Sequence, residues 1–523
     1  MMDARFANRT NCGRRGGMNR SSSRQHHKRR TRSSGARRGP QWFALQGHAA
    51  FVAFVVLCIF IMLLGGASRY DVQTLPWLRT GCILVLAVAV WKLPPGNLRA
   101  VRWPLLLVLA LALVMVVQVI PLPPALWESL PHRDIIVEIQ EAARMPEVWR
   151  PITFSPARTL NSLASLSVPL AVLAMLAWLT REERRNALWV FVAMGAFSAV
   201  LGLLQLVLPG SDNLYFYDIT NAGDAVGVFA NRNHNAVFLA LCLLAVLWRE
   251  RTDRERMGPS LRIWAWAAAG LLLVGILVNP SRAGLLILAL VILITVASRL
   301  LFRDPASGHP DKAAGRFPVV RKVAGTLVPL ICVVLLVALL FGQGRVAAFS
   351  RLIAQDPLGE QRAQYLPIFL QMADAFKIWG AGFGAFQEVF RLFEPVELLG
   401  PRYLNNAHND WLQVVIEGGL PALLVVLGGI VLLARRALSL LDRSDQNANA
   451  KRETALALLL VGLIAVASLF DYPLRTPIFM ALLVYCLVQA LRPPNDSGGY
   501  RLRKGDQVLG HRDARVRNTG KGL

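Results

Sequence analysis

The 523-residue chain is 54% hydrophobic and 17% charged, with a mean hydropathy of +0.44, which is too apolar for two or three soluble domains. Its formal charge of +25 would suit a nucleic-acid binder, but the basic residues fall between hydrophobic runs instead of along one face, so we expect no nucleic-acid partner. The composition points to an all-α integral membrane protein in contact with membrane lipids.

Residues 1–46 carry repeated Arg and Lys with almost no apolar residues and read as a disordered basic cytoplasmic tail. The first apolar run lacks a small-residue cleavage site, so no cleavable signal peptide is expected. Residues 47–491 form the polytopic membrane domain, and residues 492–523 a second basic cytoplasmic tail. Apolar runs long enough to cross a bilayer core of about 30 Å as helices lie near 48–66, 77–93, 103–120, 159–180, 186–207, 233–248, 262–280, 283–301, 323–343, 411–434, 454–470 and 476–491. That gives about twelve transmembrane helices, of which the second, sixth and twelfth are short.

Placing both termini and alternate loops in the cytoplasm assigns that side 42 of the 57 basic residues but 14 of the 32 acidic ones, a strong positive-inside asymmetry. The cytoplasmic connections 181–185, 249–262, 299–322 and 435–452 contain no phosphate-cradling G-x-x-x-x-G-K-[ST] and no Asp-x-Asp pair for a metal-bound nucleotide sugar. An ATP-driven pump and a nucleotide-sugar enzyme are therefore disfavoured. The six cysteines, Cys12 in the tail and Cys58, Cys82, Cys242, Cys332 and Cys486 within the runs, have no metal-ligand or redox spacing and read as packing residues.

The outer side holds the chemistry. Residues 121–158 are rich in Pro and Trp, as an ordered interfacial loop would be. Residues 344–410 make a large loop between helices 9 and 10, and a loop of that length is uncommon without a function. Within it Arg362, Leu366, Phe369, Ala373 and Phe376 follow helical spacing, which predicts a short amphipathic helix with Arg362 on its apolar stripe and Pro367 kinking it or delaying its start. Arg362 is then either an arginine snorkelling to headgroups or an anion ligand at the membrane surface. Arg282, in the tight turn N-P-S-R, runs against the positive-inside trend and calls for an anionic partner, either a substrate or an acid such as Asp471.

Three histidines fall outside: His132, His234 and His408. His234 lies in F-A-N-R-N-H-N-A, where the asparagines suit a helix cap. His408 either simply precedes a helix capped by Asn409 or Asp410 or takes part in chemistry. The adjoining helix N-terminus favours a neutral imidazole, the form able to accept a proton, and also favours bound phosphate.

G-A-G-F-G-A-F at 380–386, A-H-N-D-W-L-Q-V-V-I-E-G-G-L-P at 407–421, S-R-A-G-L-L at 281–286 and F-D-Y-P-L-R-T-P at 470–477 together resemble the O-antigen ligase family, which includes O-antigen polymerases. The resemblance covers roughly residues 45–490. It implies a glycosyltransferase of the bacterial inner membrane, with no cofactor and no metal, that moves a glycan from an undecaprenyl diphosphate-linked donor to an acceptor hydroxyl on the periplasmic side. The acceptor would be lipid A core in a ligase or a growing glycan in a polymerase. On the matched positions His408 is the implied catalytic residue and Arg282 and Arg362 the implied diphosphate ligands, while Asn409, Glu417 and Gly419 read as scaffold. A lipid-linked sugar transporter or flippase would share many spans, but it would be expected to show paired discontinuous helices and charges near mid-membrane. A scaffolding protein would leave the long outer loop unexplained.

Overall fold

The computed structural model describes residues 42–91, 95–208, 210–254, 256–301, 357–399, 404–442 and 448–493. The chain divides into Met1–Gly47, described only as the opening turns of a helix, and His48–Leu523, the unit considered below. The run at 323–343 and both tails lie outside the described residues.

Each of the other eleven apolar runs is helical. Among the described residues six helices are long and apolar enough to cross a membrane: Arg102–Val119, Pro156–Trp178, Arg181–Val207, Pro259–Leu277, Arg282–Leu300 and Asp410–Ser439. Ala49–Leu64, Leu75–Trp91 and Pro477–Leu491 are shorter and equally apolar. Together they are the helices of a multi-pass membrane protein.

The run read as one of the least secure is the centre of the bundle. Arg232–Thr252 is weakly hydrophobic overall because charges crowd both ends, yet every residue from 234 to 246 is buried. It packs against Arg181–Val207, Pro259–Leu277, Arg282–Leu301 and Ala448–Ala467. A helix that is apolar all round between its charged ends is one covered on every side. Arg181–Val207 starts at a capping box, in which Thr180 Oγ1 accepts from the Glu183 N–H (3.2 Å) and Glu183 Oε2 accepts from the Thr180 N–H (2.8 Å).

Asp410–Ser439 is two helices joined at Gly419, whose φ of +58° breaks the regular winding. Pro421 has no N–H, so the Glu417 carbonyl has no donor within its own helix. It accepts instead from Gln118 Nε2 (2.8 Å) and the Gly382 N–H (2.9 Å). Ile416 and Leu420 turn to the same neighbour, with Ala381 N–H donating to the Ile416 carbonyl (2.8 Å) and Leu420 N–H to the Lys377 carbonyl (2.7 Å). The glycine-rich segment 380–384 thus lies against the break. A Cβ on Gly380 would stand 2.2 Å from the Glu417 oxygen, and its φ of +75° suits glycine alone.

Outside the main bundle a small aromatic core joins Pro357–Ala375, Phe386–Phe393 and the first turns of Asp410–Ser439, built on Phe369, Phe376, Phe386, Phe390 and Ile416. Pro367 is accommodated inside its helix, which starts at Pro357 and so is not delayed. The buried face runs through Ile368, Phe369, Met372 and Phe376; Leu366 is 45% exposed, so the stripe expected through Leu366 is displaced by packing on Ile416 and Phe386. Residues 121–158 are ordered, held by a two-residue ladder (Leu122 opposite Arg150) and by buried Trp127, whose Nε1 donates to the Val148 carbonyl (3.0 Å).

Candidate functional site

Three elements meet at the N-terminal end of the central helix: the segment before Asp410–Ser439, the turn between Ala448–Ala467 and Pro477–Leu491, and the start of Arg232–Thr252. Asn409 caps its helix by accepting from the Leu412 N–H (3.1 Å), as the sequence suggested. His408 precedes it with φ +50°, a left-handed conformation uncommon outside glycine. That turn directs the ring toward the second element, where Nδ1 stands 3.4 Å from Asp471 Oδ1 and the ring meets Tyr472 edge-on at 4.8 Å. The side chain stays 24% exposed.

Asp471 is 2% exposed. It accepts from Asn233 Nδ2 (2.8 Å), Asn231 Nδ2 (3.5 Å) and the Tyr472 N–H (2.9 Å), and His234 Nε2 lies at 3.8 Å. Burial by itself raises such a carboxyl, but the adjoining His234 and His408 imidazoles more than offset it and hold Asp471 well below the ordinary carboxylate range. An ionised carboxylate facing Nδ1 accepts a hydrogen bond from Nδ1–H, the tautomer that places the ring's lone pair on Nε2.

The network continues to Arg282. Asn233 Oδ1 accepts from Ser281 Oγ (2.8 Å), and that hydroxyl oxygen accepts from the Gly284 N–H (2.9 Å), which caps the helix beginning at Arg282. Arg282 is exposed in this first turn, one residue from a continuous path that runs Ser281, Asn233, Asp471, His408. Arg362 lies in Pro357–Ala375, which packs on Asp410–Ser439, but its side chain is outside the described residues.

Asp471, suggested by sequence as a partner for Arg282, faces two histidines, His408 and His234. His234 is buried against Thr476, Tyr472 and Phe479, in line with the packing role, and Asn231 caps the helix by accepting from the Asn233 N–H (2.8 Å). Sequence reasoning gave Asn233 only a capping role and Gln413 none. The polar residues of F-A-N-R-N-H-N-A and A-H-N-D-W-L-Q, each embedded in an apolar span end, were the signal.

Residues 267–427 match the family model described as O-antigen ligase. This stretch is an O-antigen ligase family region. It takes in Arg282, Arg362 and His408 and ends before Asp471, so the O-antigen ligase match contains the histidine but not the carboxylate that faces it. The match points to a glycosyltransferase-like membrane enzyme. No curated protein matches the chain.

Proposed function

We propose that the protein transfers a glycan from undecaprenyl diphosphate to an acceptor hydroxyl at the periplasmic face of the inner membrane, with His408 as general base. The observation that carries this reading is the His408 Nδ1–Asp471 contact of 3.4 Å at a buried carboxylate. His408 Nε2 takes the acceptor proton as the hydroxyl oxygen forms its bond to C1 of the donor sugar. The C1–O bond to the diphosphate breaks, and the carrier leaves as an anion that Arg282 and Arg362 stabilise with planar guanidinium forks. Because that leaving group needs charge stabilisation more than protonation, the arginines suffice without a metal, and transfer should survive a chelator.

Charge distribution supports the orientation. At the far end of the central helix, about 22 Å along its axis from His234, Arg249, Arg185 and Arg492 pair with Asp253 and Glu453, the basic character expected of a cytoplasmic face. Transfer in membranes tests the base. His408→Ala at normal expression should lower it by about 10²- to 10⁴-fold, and near-wild-type transfer would sink the assignment. A deletion strain identifies the acceptor: long glycan left on the carrier marks a ligase, single transferred repeats a polymerase.

A further inference from the structure

We propose that Gln413, backed by Glu417 and Arg475, is the positioning residue that holds the His408 segment in its reactive conformation; this rests on the reading of His408 as the base. Gln413 is completely buried, and its amide is fully committed. Oε1 accepts from the Ala407 N–H (3.0 Å), the residue before the histidine, while Nε2 donates to Asn406 Oδ1 (3.0 Å) and Glu417 Oε1 (3.0 Å). A backbone N–H can only donate, so the Ala407 contact fixes which end of the amide is oxygen.

Glu417 sits one turn further along the same helix face, also completely buried, and its second oxygen accepts from Arg475 NH2 (2.7 Å). Arg475 Nε stands 3.8 Å from Asp410 Oδ1, and the other Asp410 oxygen accepts from Ser468 Oγ (3.0 Å) and the Leu474 N–H (3.2 Å). The Arg475–Glu417 pair and the Gln413 amide therefore link the turn bearing Asp471 to Ala407, beside the bonds of Asp410 and the Asn409 Nδ2 bond to the Leu469 carbonyl (3.1 Å) that join the same two elements. Without the amide nothing else among the described contacts holds Ala407 N–H, and His408 at φ +50° relaxes toward ordinary backbone and away from Asp471. A buried Glu–Arg pair costs desolvation; here it orients the one side chain that braces the base.

The relay predicts a rescue. In Gln413→Glu two carboxylates face each other and the segment loosens. Adding Glu417→Gln restores every contact once the Asn406 amide turns over: Ala407 N–H and both amide groups donate to the new carboxylate, and Arg475 donates to the new amide oxygen. The test uses the full chain in lipid nanodiscs with an undecaprenyl diphosphate-linked glycan and a lipid A core acceptor, read as kcat and donor KM, alongside amide hydrogen exchange over residues 404–410, which needs no acceptor. Gln413→Glu should lower kcat by about 10²-fold with donor KM unchanged and should raise exchange; the double variant should recover both. Wild-type kcat and exchange in Gln413→Glu, or a double variant no better than the worse single one, overturns the relay. Should Gln413→Glu fail to accumulate, Asn406→Ala, which removes one contact of the same amide, must lower kcat at unchanged KM, and wild-type kcat there overturns it equally. His408→Ala is run in parallel: full transfer in that variant ends the base assignment while the exchange result still judges the relay.

Discussion

In the proposed transfer the reactive nitrogen of His408 is selected by what the other nitrogen faces. With Nδ1–H donating to an ionised Asp471, the proposed base is Nε2. Asp471→Asn tests this with little change in shape. The amide can donate to Nδ1, which puts the ring proton on Nε2, so kcat should fall by about 10²- to 10⁴-fold in a transfer assay that finds normal amounts of folded protein. The same residue makes a pH prediction. Its folded value lies below the unfolded carboxyl value of about 3.9, so the stability it contributes is complete above that value and is lost as pH falls through the folded one. Melting temperature measured from pH 8 to pH 3 should therefore show no Asp471-dependent change down to about pH 4, and below it the wild-type chain should fall more steeply than Asp471→Asn. The histidine was visible in the sequence as a loop residue ahead of a capped helix. The carboxylate was visible too, but the fold had to bring residue 471 to residue 408 before its partner could be named.

At the scale of elements, the break at Gly419 decides where that histidine sits. It separates a short first helix, whose Gln413 accepts from the Ala407 N–H beside His408, from the apolar helix that follows. E-G-G-L-P contains the causes of the break, a missing N–H at Pro421 and a positive φ at Gly419, yet the spacing of apolar residues runs through it and reads as one span. What compensates the break lies far away in sequence. Gln118 donates to the Trp379 (3.1 Å) and Glu417 (2.8 Å) carbonyls and accepts from the Phe383 N–H (3.1 Å), so one buried side chain joins Arg102–Val119 to both halves of the site's support. Gln118→Leu keeps the shape and removes all three bonds. It should destabilise the protein by at least about 1–3 kcal/mol, read as a lower melting temperature in detergent, and an unchanged melt would mean the break is held by the glycine segment alone.

For the whole molecule the charge pattern makes the sharpest statement. One end of the central helix gathers histidines, asparagines and Asp471, the other gathers Arg185, Arg249 and Arg492 with their acids. Alkaline phosphatase fused within residues 121–158 or 210–230 should be active, as expected outside the cytoplasm, and fusions within 249–262 or after residue 492 inactive. Activity at the C-terminal fusion would mean an odd number of spans and would overturn the arrangement.

Composition and apolar periodicity alone determined that the chain is helical and membrane-bound and where its helices lie, because a bilayer demands long apolar runs with internally satisfied backbone. They also exposed the residues that do not belong in such runs: Arg282, His408, Glu417 and Asp471. Only tertiary structure decided which of these meet. Spacing along a helix orders neighbours within about a turn, whereas His408 with Asp471, Asn233 with Asp471 and Gln118 with Glu417 are contacts between different helices. The first two meet at the start of Arg232–Thr252, the helix whose weak hydrophobicity concealed that it lies at the centre, and the third where Arg102–Val119 packs on Asp410–Ser439.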